Sequence, residues 1–218
     1  MIEKKIFFKK KFILFLIICF IALFLRIYQI NFDDLWFDEL SSLWIAEPNI
    51  TFKETIARNI ELNKGPHLVF TLILKYFFLT FGYNPDIARF VPMFFSTISV
   101  PALMYLVSII KKDKSWLLVG FLVSINFYSI SYSQEIRSYS LIFFLSIINL
   151  IFFIKILNNY KLISFIFYYL ISLIGVCNHI FFFIIIFSQS IFIIFCFKNN
   201  KKKIIFFYLN FFSIFFFY

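Results

Sequence analysis

Apolar runs, seldom broken by a charge, fill this chain, covering about residues 12–30, 87–110, 115–131, 140–157, 162–178, 180–197 and 204–218. A segment that crosses hydrocarbon must satisfy its backbone groups without water, which takes about 20 mostly apolar residues wound as a helix. The pattern predicts an all-α, polytopic transmembrane bundle in which residues 1–218 form a single transmembrane domain. Composition agrees: 62% of residues are hydrophobic, 38 are Phe, and the mean hydropathy is +0.93. Soluble globular chains carry roughly 45–50% apolar residues, so one water-soluble core is excluded.

The N-terminus, "MIEKKIFFKKKFILFLIICFIALFLRIYQI", imitates a signal peptide in its basic start and long apolar run. No small-residue cleavage site follows, and the bulky Ile18 before Cys19 argues against a lipoprotein box. Residues 12–30 are expected to be an uncleaved first span. Cys19, Cys177 and Cys196 lie inside apolar runs with no CxxC or His/Cys cluster, and they read as small hydrophobes packed in helices rather than as metal ligands. None of the four glycines falls in a nucleotide-phosphate loop pattern.

The net charge of +10 would suit nucleic acid, but its placement points elsewhere. The segment 68–81, "LVFTLILKYFFLTF", is short and carries Lys75 in its middle, as an interfacial helix does. With that segment lying on the surface, the clusters at 4–11, 111–114, 155–161 and 198–203 share one side and hold 14 of the 21 Lys+Arg. Short basic loops mark the cytoplasmic face. Nine of the eleven acids, all but Glu3 and Asp113, then lie outside, in a loop at 31–86 that carries interfacial helices and in the turn near Glu135. No nucleic-acid partner is expected, only membrane lipids and ligands reached from the outer face.

Three connections meet there. "DDLWFDELSSLWIA" places Leu40, Leu43 and Trp44 at helical spacing before Pro48, which predicts a short amphipathic helix over 38–46. Its Asp38 reads either as an N-cap, with Glu39 favouring the positive helix end, or as a reactive carboxylate. "YSQEIRSY" puts Glu135, Arg137 and Tyr139 at alternate positions between two spans. Glu135 and Arg137 could close the turn as an ion pair, or the guanidinium could face a phosphate, whose oxygens it binds bidentately. His179, between two spans, and Lys64 and His67, flanking "GP", are weaker candidates.

In order and spacing, "LWFDELSSLWIA", "KGPHLVFTLILKYFFLTFG", "DIARFVPMFFSTISVPALMYLV" and "SINFYSISYSQEIRSYSLIFFLSII" resemble the bacterial branch of the GT-C glycosyltransferases. These are the protein-mannosyltransferase-like and aminoarabinose-transferase-like family 39 enzymes. The resemblance spans roughly residues 26–180 and is carried by a DE pair after the first span and a YSQExRxY segment before a later one. It implies a GT-C-like bundle in a bacterial cytoplasmic membrane, with the N-terminus cytoplasmic and the active site extracytoplasmic.

The implied activity is transfer of a sugar, with inversion, from a polyprenyl-phosphate carrier to a hydroxyl on lipid, glycan or protein. By the same resemblance, Asp38 is the general base and Glu39 shapes the site. Gln134, Arg137 and Tyr139 face the carrier phosphate or the sugar, with Glu135, His179, His67 and Lys64 as further substrate-binding candidates. No cofactor is implied; a divalent ion on the outer carboxylates would be compatible, but no complete ligand set is legible.

Two departures stand out. "KGPH" replaces the family's HPP or PP pair, so Lys64 and His67 inherit no role directly. Family members are usually much longer, so 204–218 is expected to be an incomplete seventh span and the chain the N-terminal half of a longer protein. The reading of a different class is a transporter or flippase for lipid-linked or anionic solutes, which would carry ionisable groups midway along broken spans; a non-catalytic membrane subunit is a third.

Overall fold

The computed structural model describes residues 2–64, 67–111, 113–159 and 161–196, and among these every regular element is a helix. The expected short span at 204–218 and the basic cluster at 198–203 lie outside the described residues. In chain order the helices are α1 (Ile2–Ile27), α2 (Phe37–Ile45), α3 (Phe52–Asn63), α4 (Leu68–Phe81), α5 (Pro85–Ala88), α6 (Phe90–Ile110), α7 (Ser115–Ser124), α8 (Phe127–Gln134), α9 (Tyr139–Asn158), α10 (Leu162–Asn178) and α11 (Phe182–Cys196).

Helix α6 is the centre of the bundle and packs on α1, α7, α8 and α9, while α9 in turn packs on α10. Ile18 and Ala22 of α1 meet Val100 and Met104 of α6 in one apolar seam. The largest core joins Leu43 of α2 and Phe70, Leu74 and Phe78 of α4 to Leu141, Ile171, Val176 and Phe182 of the bundle. The two amphipathic helices are therefore seated on the bundle by their apolar faces.

Two helical segments, Pro85–Ile110 and Tyr139–Asn158, are long and apolar enough to cross a membrane, and the bent pair α7–α8 makes a third if it counts as one span. The expected spans 162–178 and 180–197 correspond to shorter apolar helices of 17 and 15 residues. Large apolar side chains nevertheless face outward on them, among them Ile166, Leu170, Ile184 and Phe187. Such outward apolar faces suit lipid rather than water, and the protein is membrane-associated.

A polar seam holds α9, α10 and α11. Gln189 Nε2 donates to Asn149 Oδ1 (2.8 Å), Asn149 Nδ2 to Ser172 Oγ (2.9 Å), and Tyr168 OH to Gln189 Oε1 (2.7 Å), all buried. Hydrogen bonds of this kind fasten helices where apolar packing alone gives no preference over lipid.

Three expectations need correction. The segment 115–131 is not one straight span: α7 and α8 meet at 51°. Asn126 starts α8 as its N-cap, its side chain accepting the Ser129 N–H (2.9 Å). The carbonyls left over at the end of α7 go to Arg26 in the last turn of α1. Arg26 Nη1 donates to Ser124 O (3.2 Å) and Ala22 O (3.0 Å), Nη2 to Val123 O (3.4 Å) and Ser129 Oγ (2.7 Å), and Nε to Ser96 Oγ (2.7 Å). A broken helix at membrane depth needs such replacement donors.

The second correction concerns α2, whose N-cap is Trp36 in extended backbone (φ −92°, ψ 169°) rather than Asp38. Glu39 occupies the third helical position, and its carboxylate accepts the Trp36 N–H (3.4 Å), the half of a capping box that closes the first turn. The helix ends at Ile45, ahead of Pro48, as the sequence predicts.

The third is that no Glu135–Arg137 ion pair closes the turn; the Arg137 N–H donates to the Glu135 carbonyl (2.7 Å), and its side chain turns to Asp38.

Lys75, the charge that marked α4 as an unlikely span, is buried. Its Nζ donates to the carbonyls of Glu47 (2.6 Å) and Ile50 (2.8 Å), closing the loop after α2 against the middle of α4. At 14 residues α4 is about 21 Å long, short of the roughly 30 Å of a bilayer core.

Candidate functional site

Five helix ends meet at one place. Arg89, between α5 and α6, donates through Nη1 to Ile30 O just past α1 (2.9 Å). Gln134, the last residue of α8, donates through Nε2 to Arg26 O (3.2 Å) and Tyr28 O (2.9 Å). The His67 N–H at the start of α4 donates to Asn178 O at the end of α10 (2.8 Å).

The DE pair lies at this junction, and each of its acids takes an arginine from a different part of the chain. Arg137 Nη2 stands 3.6 Å from Asp38 Oδ2, and Nη1 donates to Asp38 O (3.3 Å) and Ser42 Oγ (3.4 Å). Arg89 Nη2 donates to Glu39 Oε2 at 3.5 Å, and the Ile136 N–H donates to Glu39 Oε1 (2.8 Å). The two carboxylates differ in exposure: the Asp38 side chain is 38% accessible and the Glu39 side chain 2%. Glu39 thus joins α2, α6 and the 135–138 turn from inside, while Asp38 meets solvent.

The turn alternates its side chains. Ile136 is fully buried in the main core, which drives its neighbours Glu135 and Arg137 to other sides. Glu135 faces a cleft of about 350 Å³ lined also by Asp33, Asp34, Trp36, Glu39, Arg89, Ser131 and Gln134. Burial, then the Glu39 charge, raises the Glu135 carboxyl above the usual carboxylate range. Among the described residues no group of three His, Cys, Asp or Glu side chains is placed to hold a metal ion.

Tyr139 lies elsewhere. With Tyr132, whose ring centroid is 5.0 Å away, it lines a second, more apolar cleft of about 370 Å³ that also includes Ser96, Val123, Tyr128 and Phe143. Helical periodicity explains the split: Ser131 and Gln134 share one face of α8, and Tyr128 and Tyr132 share another. Gln134, Arg137 and Tyr139, expected to act together, therefore reach three different places.

The histidines come together although they are far apart in sequence. His67 starts α4 in the left-handed conformation (φ +70°), and its Nδ1 shares a short hydrogen bond with Ser138 Oγ. Its ring meets that of His179 edge-on, with centroids 5.1 Å apart. Burial, and then the positive charge of Arg137, hold His67 down to about 4 and lower His179 as well. His67 is therefore neutral at pH 7. Lys64 ends α3 in the left-handed conformation and is exposed, and it is not among the residues lining the cleft.

Arg89 and Arg26 are the site-building residues that motif reasoning passed over. The available signal was energetic: an arginine beside or within an apolar run is expensive unless it is paired. Compared with known proteins, the chain matches no family model, no curated protein and no solved structure.

Proposed function

We propose that this protein is a polytopic membrane glycosyltransferase of the GT-C type, which moves a sugar from a polyprenyl-phosphate donor to an acceptor hydroxyl outside the cytoplasmic membrane. The observation that carries the reading is the pairing of the adjacent acids Asp38 and Glu39 with Arg137 and Arg89 at the junction of helix ends. In the reaction the bond between sugar C1 and the phosphate oxygen breaks with its electron pair going to oxygen. The acceptor oxygen bonds to C1 from the opposite face, and its proton passes to Asp38. Arg137 stabilises the charge gathered on the departing phosphate, an electrostatic contribution that is often the largest in catalysis.

In this reading α1, α5–α6, α7–α8, α9, α10 and α11 cross the membrane, and α2, α3 and α4 lie at its outer surface. The helix ends opposite the site carry Lys111, Lys114, Lys155 and Lys161, which supports a cytoplasmic assignment for that side. A transporter would set its ionisable groups midway along broken spans; Arg26 at the α7–α8 break has that form, but the acid–arginine pairs Asp38–Arg137 and Glu39–Arg89 gather at helix ends instead.

Two measurements test this. In a cysteine-free background, a membrane-impermeant maleimide is expected to label Glu61→Cys and Ile180→Cys from outside and Asn159→Cys only after permeabilisation. Labelling of Glu61→Cys and Ile180→Cys from opposite sides would place α4 across the membrane and dismantle the site. For activity, membranes from cells lacking the gene supply every native acceptor. Adding back the protein with radiolabelled polyprenyl-phosphate hexoses and pentoses should restore label to a lipid, glycan or protein fraction; failure with all of these donors removes the transferase reading.

A further inference from the structure

Three buried side-chain donors have no hydrogen-bond partner among the described residues: Arg89 Nε, Arg137 Nε and Asn178 Nδ2. Two of them belong to the neighbourhood of the histidine pair. Asn178 precedes His179, accepts the His67 N–H on its backbone oxygen, and accepts the Phe70 N–H on Oδ1 (3.1 Å), which leaves Nδ2 as the unused donor. Arg137 precedes Ser138, the hydroxyl partner of His67 Nδ1, and its charge acts on both imidazoles.

The cluster therefore gathers one guanidinium, two imidazoles, an amide NH₂ and a hydroxyl, with Asp38 paired to the guanidinium and Glu135 the other carboxylate whose charge acts on it. A buried donor without an acceptor is costly, and more so when charged, and a guanidinium beside two imidazoles opposes a metal cation. An oxyanion reverses each of these terms, since it accepts from the unused donors and offsets the positive field on the rings.

We infer that His67, His179 and Asn178 extend Arg137 into a binding site for the oxyanion of a phosphate ester. This rests on the transferase reading, in which the donor holds a phosphodiester and the product is a monoester. When C1 leaves, the phosphate goes from one negative charge to as many as two, and it draws a proton from solvent onto the imidazoles beside it. The anion also competes with Asp38 for Arg137, freeing the carboxylate to accept the acceptor's proton as the donor docks.

The standing charge that both His67 and His179 feel is Arg137, and each ring opposes protonation of the other only once it is itself charged. Lys64, exposed at the end of α3, and Cys177, at the end of α10, are the titratable neighbours in sequence. An entering anion therefore offsets the Arg137 field on both rings, and proton uptake is the expected sign.

The test is calorimetric titration of the full-length protein in nanodiscs with farnesyl phosphate, phosphatidic acid and inorganic phosphate, each near neutral pH in two buffers of different ionisation enthalpy. Farnesyl phosphate should bind with net proton uptake. Uptake should vanish and affinity fall about tenfold, roughly 1.4 kcal/mol, in the His67→Asn/His179→Asn variant. Asn is chosen because it tolerates the left-handed backbone at position 67.

Asn178→Asp, which keeps the acceptor for the Phe70 N–H and adds a negative charge at a fully buried position, should also weaken binding, with melting temperature measured alongside to separate lost affinity from lost folding. Binding without proton uptake that is undiminished in both variants overturns the inference while leaving Arg137 and the transferase reading intact. No farnesyl phosphate binding at all removes both. Equal affinity for inorganic phosphate keeps the anion site but cuts its link to a lipid carrier, and tighter phosphatidic acid binding does the same in favour of a bilayer headgroup.

Discussion

Asp38→Asn is expected to lower the transfer rate by about 10² to 10⁴ and to leave the melting temperature nearly unchanged. The asymmetry follows from where the two acids sit. The Asp38 side chain is 38% accessible, and its ion pair with Arg137 is long, at 3.6 Å. A pair that wet contributes about 0–1 kcal/mol to stability, and Arg137 keeps its bonds to Asp38 O and Ser42 Oγ after the substitution.

Glu39→Gln should behave in the opposite way. Its carboxylate is buried, accepts from Ile136 N–H and Trp36 N–H, and pairs with Arg89; breaking a buried pair by removing one partner costs roughly 3–5 kcal/mol. The check is kcat and melting temperature measured on both variants. A fully active Asp38→Asn protein would strip Asp38 of the base role, and an Asp38→Asn protein as unstable as Glu39→Gln would make its lost activity uninformative.

What the sequence made legible was chiefly what hydrophobicity and charge report on. Apolar runs foretold helices, and the segment 68–81 forms the helix α4 with Lys75 in its middle, although the two carbonyls that Lys75 caps were not foreseeable. The break at Ile125–Asn126 stayed hidden because neither residue is a proline or glycine; what makes it tolerable is Arg26, nearly a hundred residues earlier. Asp38 looked like an N-cap by residue type, but Glu39 reaching back to Trp36 sets the helix start two residues earlier. The motif "SQEIRSY" named the right turn but not its geometry, because the fully buried Ile136 decides which way each neighbour points. His67 and His179 were each weak alone, and only the contact between the ends of α4 and α10 makes them a pair.

Arg26→Leu should be strongly destabilising, by at least about 3 kcal/mol, since hydrogen bonds from a charged donor are each worth roughly 1.5–3 kcal/mol and this guanidinium bonds Ser96, Ala22, Ser124, Val123 and Ser129 together. Arg26 is fully buried, and its loss strips donors from Ser124 O, Val123 O and two serine hydroxyls. Arg26→Lys should recover only part of the loss, since a point ammonium cannot span acceptors on α6, α7 and α8 as the planar fork does. Melting temperature in detergent and hydrogen exchange at residues 125–129 read this directly.

A second substitution separates a strut from a mere filler. If Arg26 exists to satisfy carbonyls freed by the break, then Asn126→Leu, which removes the cap that starts α8, should let α7 and α8 join and return those carbonyls to helix bonds. Arg26→Leu/Asn126→Leu would then be more stable than Arg26→Leu alone, a coupling of the sign that a double-mutant cycle resolves. The straightened helix would still move Gln134 away from Arg26 O and Tyr28 O, and with it the turn that presents Arg137 to Asp38. Transfer should stay lost in the double variant, and a double variant that regains activity would show that the bend is not needed to build the site.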